Sequence, residues 1–221
     1  EYFLMLAIIP AKKTSKRLPN KNIKLFSKEP LIAHTIKSAL KSKCVTRIIV
    51  STDSRKIAKI AIKYGAEVPF LRSKNLSGAK TTTWEVCKNV IKKLKKTENN
   101  FYESFIYLQP TSPLRSPQDI DNAIKIFKNK KANAVVSVHE TKPEFWFKNI
   151  TRKGILVGNN KNNKKNYILN GSIYIFKTKF IEKTKANEYD DKTFAYVTPQ
   201  ERSIDIDTLY DFKIAEFFLK K

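Results

Sequence analysis

Apolar and polar positions along this chain predict strands and helices in alternation. Short apolar, β-branched runs at 4–9, 47–52, 105–109 and 134–138 are bounded by polar or turn residues, as is typical of buried strands. Between them, apolar residues recur at three- and four-residue spacing, which predicts helices. These helices cover 31–40 after Pro30, 57–64 before Gly65, 84–94 and 120–127. The order favours an α/β fold: a mostly parallel sheet with helices on both faces.

The alternation stops after Val138. Residues 139–166 are mainly polar and predict a small insertion with one or two short strands. NYILNGSIYIF and TFAYVT then predict two further strands, and Thr208–Leu219 predicts an amphipathic terminal helix. We therefore expect a core made of 1–138 and 167–221, interrupted by an inserted arm at 139–166.

The charge of the chain raises the question of an anionic partner. The 221 residues include 44 Lys and Arg but only 20 Asp and Glu, which gives a net charge of +24. Nucleic acid is one candidate, but the lysines are spread along the chain and the aromatic residues follow core-like patterns. We expect small anionic substrates and no nucleic acid, while a non-enzymatic basic nucleotide- or nucleic-acid-binding protein stays open as an alternative.

The cysteine content and the hydropathy of the chain indicate where in the cell the protein resides. Cys44 and Cys87 are the only cysteines, and they form neither a CxxC motif nor a disulfide framework. The simplest explanation is that both are free thiols in a reducing cytoplasm. No run approaches the roughly 18 apolar residues of a membrane span. We expect a cytoplasmic protein without a membrane partner.

The most informative segment is IIPAKKTSKRLPNKN, Ile8–Asn22. It follows a buried strand and carries five cations between Lys12 and Lys21. Cations so close together repel one another unless an anion lies between them. Because ligands of open α/β sheets bind at the carboxyl ends of the strands, phosphate is the expected ligand of this segment. Ser15 can donate a hydroxyl hydrogen bond, and Asn22 can contact a base or ribose. The alternative is a solvated basic turn.

The segment LQPTSPLR follows the predicted strand that ends at Gln109. Gln109 bears an amide, Thr111 bears a hydroxyl, and two prolines stiffen the turn. A rigid turn rich in hydroxyls suits recognition of a polyol such as a sugar. Alternatively, it is an ordinary strand-to-helix loop in which Ser116 caps the helix that Pro117 opens.

The segment NGSIYIF begins at Asn170. Its alternation places Tyr174 on the same side as Ser172, where both could face a ligand. From spacing alone, a hairpin turn or bulge followed by aromatic core residues is as good an interpretation.

The segment SIDIDTLYD holds two carboxylates. In a strand, Asp205 and Asp207 would share one face while Ile204 and Ile206 face the core. Two neighbouring carboxylates repel unless a cation lies between them, and Mg²⁺ favours one or two carboxylates plus phosphate oxygens and water. The alternative is that Asp207 or Thr208 caps the last helix.

Six segments, in order, resemble the CMP-sialic acid synthetases (acylneuraminate cytidylyltransferases), including relatives that activate legionaminate-type sugars. They are IIPAKKTSKRLPNKN, RIIVSTD, AEVPFLR, LQPTSPLR, NGSIYIF and ERSIDIDT. No single segment is decisive, but six in one order are specific. The resemblance implies a Rossmann-like three-layer αβα nucleotidyltransferase fold, in which 139–166 is the arm through which family members dimerise.

The resemblance also implies a reaction. The family couples CTP to a nine-carbon nonulosonic acid of the N-acetylneuraminate or legionaminate type, with Mg²⁺, and releases pyrophosphate. Pseudaminate or 3-deoxy-octulosonate remains open as the sugar. By resemblance, the catalytic residues are Lys12, Lys21 and Asp207, and the metal ligands are Asp205 and Asp207. The nucleotide-binding residues are Lys12, Ser15, Lys21, Asn22, Arg72 and Thr82. The sugar-binding residues are Gln109, Thr111, Asn170 and Tyr174.

Four positions depart from the family pattern. Lys12 stands where the family usually has Arg, and Thr14 where it has Gly. Ala79 replaces an expected Asp, and Ile168 stands where some sialate enzymes carry an Arg. Lysine keeps the charge but lacks the bidentate fork of arginine. These departures bear on sugar identity and rate more than on fold.

Overall fold

A computed structural model describes residues 5–15, 17–78, 80–142, 149–150, 156–157, 165–185 and 188–219, the two dipeptides by their backbone alone. Six strands of this part of the chain form one sheet. In spatial order they are β10 (Thr193–Val197), β6 (Ala134–Thr141), β9 (Asn166–Lys177), β5 (Ser104–Leu108), β1 (Met5–Pro10) and β4 (Val45–Ser51). Only β9 runs antiparallel to its neighbours. The expected mostly parallel sheet is confirmed.

Side-chain alternation along the strands builds two separate cores. Ala7 and Ile9 of β1 face one side, and Leu6 and Ile8 face the other, all fully buried. The first side is covered by α1 (Leu31–Leu40), α2 (Arg55–Lys63) and α4 (Pro117–Asn129). The second is covered by α3 (Thr83–Glu98) and α5 (Thr178–Lys183). The three-layer αβα arrangement follows from strands that are apolar on both faces.

The last helix, α6 (Leu209–Leu219), belongs to a third, smaller cluster. Its Phe212 and Ala215 pack with Leu31 at the start of α1 and with Ile206. Phe26, from the short antiparallel pair β2 (Leu25–Phe26) and β3 (Glu29–Pro30), packs edge-on against Phe212. This cluster holds the segment before α6 close to the loop after β1.

One helix start agrees with its sequence signal, and two other features of the structure differ from what the sequence predicts. Ser116 caps α4 in a capping box with Asp119, so the capping role proposed for it is confirmed. The helix α5 was not expected. The segment 203–207 is not a strand, which corrects that prediction: the backbone N–H of Ile206 donates to the carbonyl of Thr111 (2.8 Å) rather than to a sheet neighbour.

Most of the predicted arm lies outside the described residues. Within it, β7 (Asn149–Ile150) pairs antiparallel with β8 (Leu156–Val157). At its base, β6 and β9 remain paired through Thr141 and Asn166. Cys44 and Cys87 are both free thiols, as expected. No helix in the described part of the chain is long and apolar enough to cross a membrane.

Candidate active site

A polar cavity of about 950 Å³ opens where the parallel strands end. The carboxyl ends of β1 and β5 lie at this edge because both strands run in the same direction. Nine of the twelve predicted site residues line it: Lys12, Ser15, Lys21, Asn22, Arg72, Gln109, Thr111, Asp205 and Asp207. Other lining residues are Pro10, Thr14, Arg17, Thr81, Thr83, Val86, Tyr107 and Pro110. Residues far apart in sequence therefore meet in one place.

The cation-rich loop after β1 is anchored by its backbone. The N–H of Ala11 donates to the carbonyl of Ser51 (2.9 Å), and the N–H of Lys13 donates to Asp53 Oδ1 (2.7 Å). Asn22 Nδ2 donates to the carbonyl of Lys12 (3.0 Å), which ties the beginning of the loop to its end. Of the loop's cationic side chains, those of Lys12, Arg17 and Lys21 line the cavity.

Opposite this loop, Asp207 forms an ion-pair cluster. Arg17 Nη2 lies 2.6 Å from its Oδ2, and Lys21 Nζ lies 3.0 Å from its Oδ1. Lys21 Nζ also donates to the carbonyl of Ile206 (2.6 Å). Arg17 was not among the predicted residues, because five neighbouring cations gave no spacing that distinguishes it. The cap of α6 is Thr208, whose hydroxyl accepts from the N–H of Asp211 (3.2 Å), so the Asp207 carboxylate is not the cap.

The neighbouring carboxylate, Asp205, sits in a more buried environment. Its Oδ1 is buried and has no hydrogen-bond partner, and burial raises its pKa despite a hydrogen bond with the Thr111 side chain. Asp207 raises this pKa further, and Lys21 opposes the effect. An orphaned carboxylate oxygen beside a second carboxylate suits a divalent cation with few protein ligands. No cluster of three or more His, Cys, Asp or Glu suited to a metal occurs in the described residues.

Arg72, from the segment between α2 and α3, also lines the cavity. It is buried, and its guanidinium donates to the carbonyl and hydroxyl of Ser51. Burial lowers its pKa, which Asp53 partly offsets. The arginine therefore presents a largely desolvated positive charge, and such a charge favours an anionic ligand.

Gln109 is held by contacts around the ends of β5 and β9. Arg115 is buried and donates from Nη2 to the carbonyl of Gln109 (2.7 Å) and from Nε to the carbonyl of Ser172 (2.9 Å). Burial lowers the pKa of Arg115 to about 9. The amide of Gln109 lies directly over Gly171, where a Cβ would meet its Oε1 at 1.8 Å. Arg115 was missed because an arginine after a proline-rich turn gives no sign of burial.

Three predicted residues do not line the cavity. Thr82 caps α3 in a capping box with Glu85, whereas its neighbours Thr81 and Thr83 line the cavity. Tyr174 packs on Tyr107, with ring centroids 5.3 Å apart.

The third is Asn170, which is buried in a hydrogen-bond network next to a bulge at Gly171 (φ 72°). The pairing of β6 with β9 shifts register here, between the pairs Val136–Tyr174 and Val138–Leu169, which agrees with the bulge alternative for this segment.

The family departures have different surroundings. Lys12 and Thr14 both line the cavity. Ile168 lies on β9, half-exposed and paired with His139. Ala79 lies outside the described residues.

Comparison with known proteins identifies the family. The Cytidylyltransferase family model matches residues 6–217. The chain is 42% identical to the CMP-N,N'-diacetyllegionaminic acid synthase of Legionella pneumophila, over 96% of this chain and 94% of that protein. It is 34% identical to the N-acylneuraminate cytidylyltransferase of Escherichia coli, over 96% of this chain but only 51% of that protein.

A solved structure supports the fold. CMP:2-keto-3-deoxy-manno-octonic acid synthetase complexed with CTP superposes with a TM-score of 0.71 at 14% identity and covers 98% of both chains. At that identity the match supports the fold alone. The family match over most of the chain and the relative of similar length decide the assignment: the chain belongs to the cytidylyltransferase family, as its six ordered segments predict.

Proposed function

We propose that this chain transfers CMP from CTP to a nonulosonic acid of the diacetyllegionaminic type and releases pyrophosphate. The observation that carries the proposal is one cavity with a cation-rich loop on one side and the pair Asp205 and Asp207 on the other. Gln109 and Thr111 line the same cavity. The relative from Legionella, matched over nearly its whole length, supports the choice of sugar.

The basic side suits a triphosphate. Lys12, Ser15, Lys21 and Asn22 would hold the nucleotide, with Arg72 as a further cation and Arg17 as an addition to the predicted set. In phosphoryl transfer most of the catalysis is positioning plus stabilisation of charge on the phosphate oxygens. Lys21 links the two sides of the cavity, because its ammonium pairs with Asp207 while facing the same space.

The sugar side would orient the attacking group. Gln109 and Thr111 offer an amide and a hydroxyl in a rigid turn, which suits a polyhydroxylated substrate. The anomeric hydroxyl of the sugar attacks the α-phosphorus of CTP and loses its proton to solvent, the bond from that phosphorus to the oxygen shared with the β-phosphate breaks, and pyrophosphate leaves. Holding both substrates in one cavity supplies much of the rate enhancement.

The carboxylate side fits Mg²⁺, with Asp205 and Asp207 as the residues that would hold it. When bound, the ion screens the negative charge that builds up on the phosphate oxygens. The unpaired oxygen of Asp205 supports this role, since it has no protein partner to satisfy it.

Assembly and location are part of the proposal. A homodimer formed through the arm at 139–166 is supported by the half-exposed apolar residues at its base, Tyr167, Ile168 and Leu169. Light scattering on the purified protein tests this, and a monomer at micromolar concentration would contradict it. The free thiols Cys44 and Cys87 support residence in the cytoplasm.

A sugar panel tests the activity. The protein is incubated with CTP and Mg²⁺ plus N,N'-diacetyllegionaminate, N-acetylneuraminate, pseudaminate or 3-deoxy-octulosonate, and pyrophosphate is measured. We expect the highest kcat/KM with the legionaminate. Higher activity with another sugar of the panel would reassign the substrate, and no release with any of them would refute the proposal.

A further inference from the structure

Asn170 is the centre of a buried polar network. It is 3% exposed, and its side chain contacts three hydroxyl-bearing side chains, one from β6 and two from the segment that follows β10. Its Oδ1 accepts from Ser137 Oγ (2.6 Å), and its Nδ2 donates to Thr198 Oγ1 (2.6 Å) and Ser203 Oγ (3.2 Å). The network joins β6, β9 and the segment that follows β10.

These contacts use the hydrogen-bonding capacity of the amide. Its two N–H donors go to two hydroxyls, and Oδ1 also accepts from the N–H of Ser172 (3.2 Å). An asparagine amide has two donors and one acceptor oxygen with two lone pairs. No donor remains for a sugar, and Asn170 does not line the cavity.

The network leads to the carboxylate pair. Ser203 lies two residues before Asp205 along the chain, and its hydroxyl also donates to the carbonyl of Pro199 (2.7 Å). Thr198 donates through its N–H to the carbonyl of Val138 (2.8 Å). The segment that carries the carboxylates is thus fixed from β9 at Ser203 and from the loop after β5 at Ile206.

A second anchor fastens the same segment on its other side. Asp119 of α4 is 2% exposed and accepts from Arg202 through both Nε (3.1 Å) and Nη2 (2.9 Å). It also accepts from the Tyr196 hydroxyl (2.8 Å). Arg202 immediately precedes Ser203, so the backbone entering the carboxylate segment is held at two consecutive residues.

We propose that Asn170 is a positioning residue for Asp205 and Asp207 and not a ligand of the sugar. It holds Ser203 and Thr198, and through them the segment that places both carboxylates at the cavity. This inference rests on the proposed function. It assigns Asn170 to the metal side of the site instead of the sugar side, and the two assignments differ in what a mutation changes.

The test measures CTP binding without sugar, so no turnover occurs. Calorimetric titrations of CTP are made at stepped Mg²⁺ concentrations and in EDTA, for the wild type, Asn170→Ala and Ser203→Ala. Outer residues that orient metal ligands typically contribute 10- to 100-fold to metal affinity. We therefore expect the Mg²⁺ concentration at half-maximal CTP binding to rise about tenfold in both variants. Binding in EDTA and the sugar KM at saturating Mg²⁺ should stay within about twofold of wild type.

Two comparison variants separate positioning from general damage. Thr178→Val removes another buried hydroxyl at the start of α5, just beyond the far end of β9, where Thr178 donates to the carbonyl of Tyr102, and should leave the Mg²⁺ dependence unchanged. Gln109→Ala should raise the sugar KM with no change in the Mg²⁺ dependence. If Asn170→Ala does not fold, Ser203→Ala carries the test, because it cuts the link from the carboxylate side.

The outcomes are distinct. An unchanged Mg²⁺ dependence in the folded variants, with a raised sugar KM for Asn170→Ala, would overturn this inference and leave the proposed function standing. An equal shift in Thr178→Val would also overturn it, since the effect would then be nonspecific. A wild type that binds no CTP at any Mg²⁺ concentration would overturn the proposed function and this inference with it.

Discussion

Replacing Gly171 with alanine tests whether Gln109 acts on the sugar. The glycine has φ +72°, and a Cβ there would lie 1.8 Å from Gln109 Oε1 and 2.8 Å from its Cδ. These atoms are the end of a flexible side chain, so Gln109 can turn away at little cost to folding. The amide would, however, leave its position over Gly171, beside the cavity that Gln109 lines. The substitution therefore displaces Gln109 without deleting it.

The expected magnitudes separate into a folding part and a binding part. An L-residue in the left-handed region costs about 1–2 kcal/mol, which in a chain of this size lowers Tm by roughly 2–8 °C. Loss of one neutral hydrogen bond to the sugar, at about 0.5–1.5 kcal/mol, lowers kcat/KM for the sugar about 2- to 12-fold. The KM for CTP should change little.

Gly65→Ala is the matched control. Gly65 also has a positive φ, +95°, and its Cβ would meet only the end of the Leu40 side chain, at 3.1 Å. Both variants should lose similar stability by thermal denaturation, but only Gly171→Ala should lose kcat/KM for the sugar in the pyrophosphate assay. In a Gln109→Ala background, Gly171→Ala should cause no further kinetic loss.

Two results would refute this reasoning. One is a Gly171→Ala enzyme with wild-type sugar kinetics and only the stability loss of Gly65→Ala. The other is full additivity of Gly171→Ala with Gln109→Ala, because additive effects would mean that the glycine acts on turnover by a route other than the amide.

Three further substitutions test the charged residues. Asp205→Asn should lower Mg²⁺-dependent turnover roughly a hundredfold or more. It should also raise Tm at neutral pH. Burial raises the Asp205 pKa, so the wild-type protein loses folding stability as the pH rises through that pKa and the carboxyl group ionises. The difference in Tm between the variant and the wild type should therefore close in acid. Asp207→Asn should abolish Mg²⁺-dependent turnover with under about 0.5 kcal/mol lost in the free energy of unfolding, because its ion pairs are partly exposed; a large stability loss with retained turnover would contradict the metal role. Arg17→Ala should raise the KM for CTP about tenfold at low salt and less at 0.5 M salt, while Lys59→Ala on exposed α2 surface should not; an equal effect of both would mean that only net charge matters.

The fold was predictable because most strands are apolar on both faces and most helices are amphipathic. Leu6–Ile9 shows the first signal directly, with alternate residues in the two cores. The direction of β9 was not predictable, because it depends on how the chain returns from the arm at 139–166. At 203–207, the alternation of Ile204 and Ile206 with aspartates predicts a strand, but the segment is irregular. Its backbone partner is the loop at Thr111, which no local pattern indicates.

The site residues were predictable where they belong to a local run of charges. They were less predictable where contacts between distant parts of the chain determine the position of a side chain. The cation cluster and the aspartate pair were visible as runs, and both aspartates line the cavity together with Lys12, Arg17 and Lys21. Period-two alternation could not tell whether Tyr174 faces a ligand or an aromatic neighbour, and it packs on Tyr107. Arg17 and Arg115 were missed because an ion pair across 190 positions and the burial of a guanidinium are properties of the fold.

The most direct test of the central claim is the identity of the product formed from CTP, Mg²⁺ and N,N'-diacetyllegionaminate. Mass spectrometry of the reaction, with pyrophosphate quantified in parallel, should find the CMP-sugar and pyrophosphate in a one-to-one ratio, with neither formed by Asp207→Asn. A wild-type protein that binds CTP but forms no CMP-sugar with this or any other sugar of the panel would contradict the account.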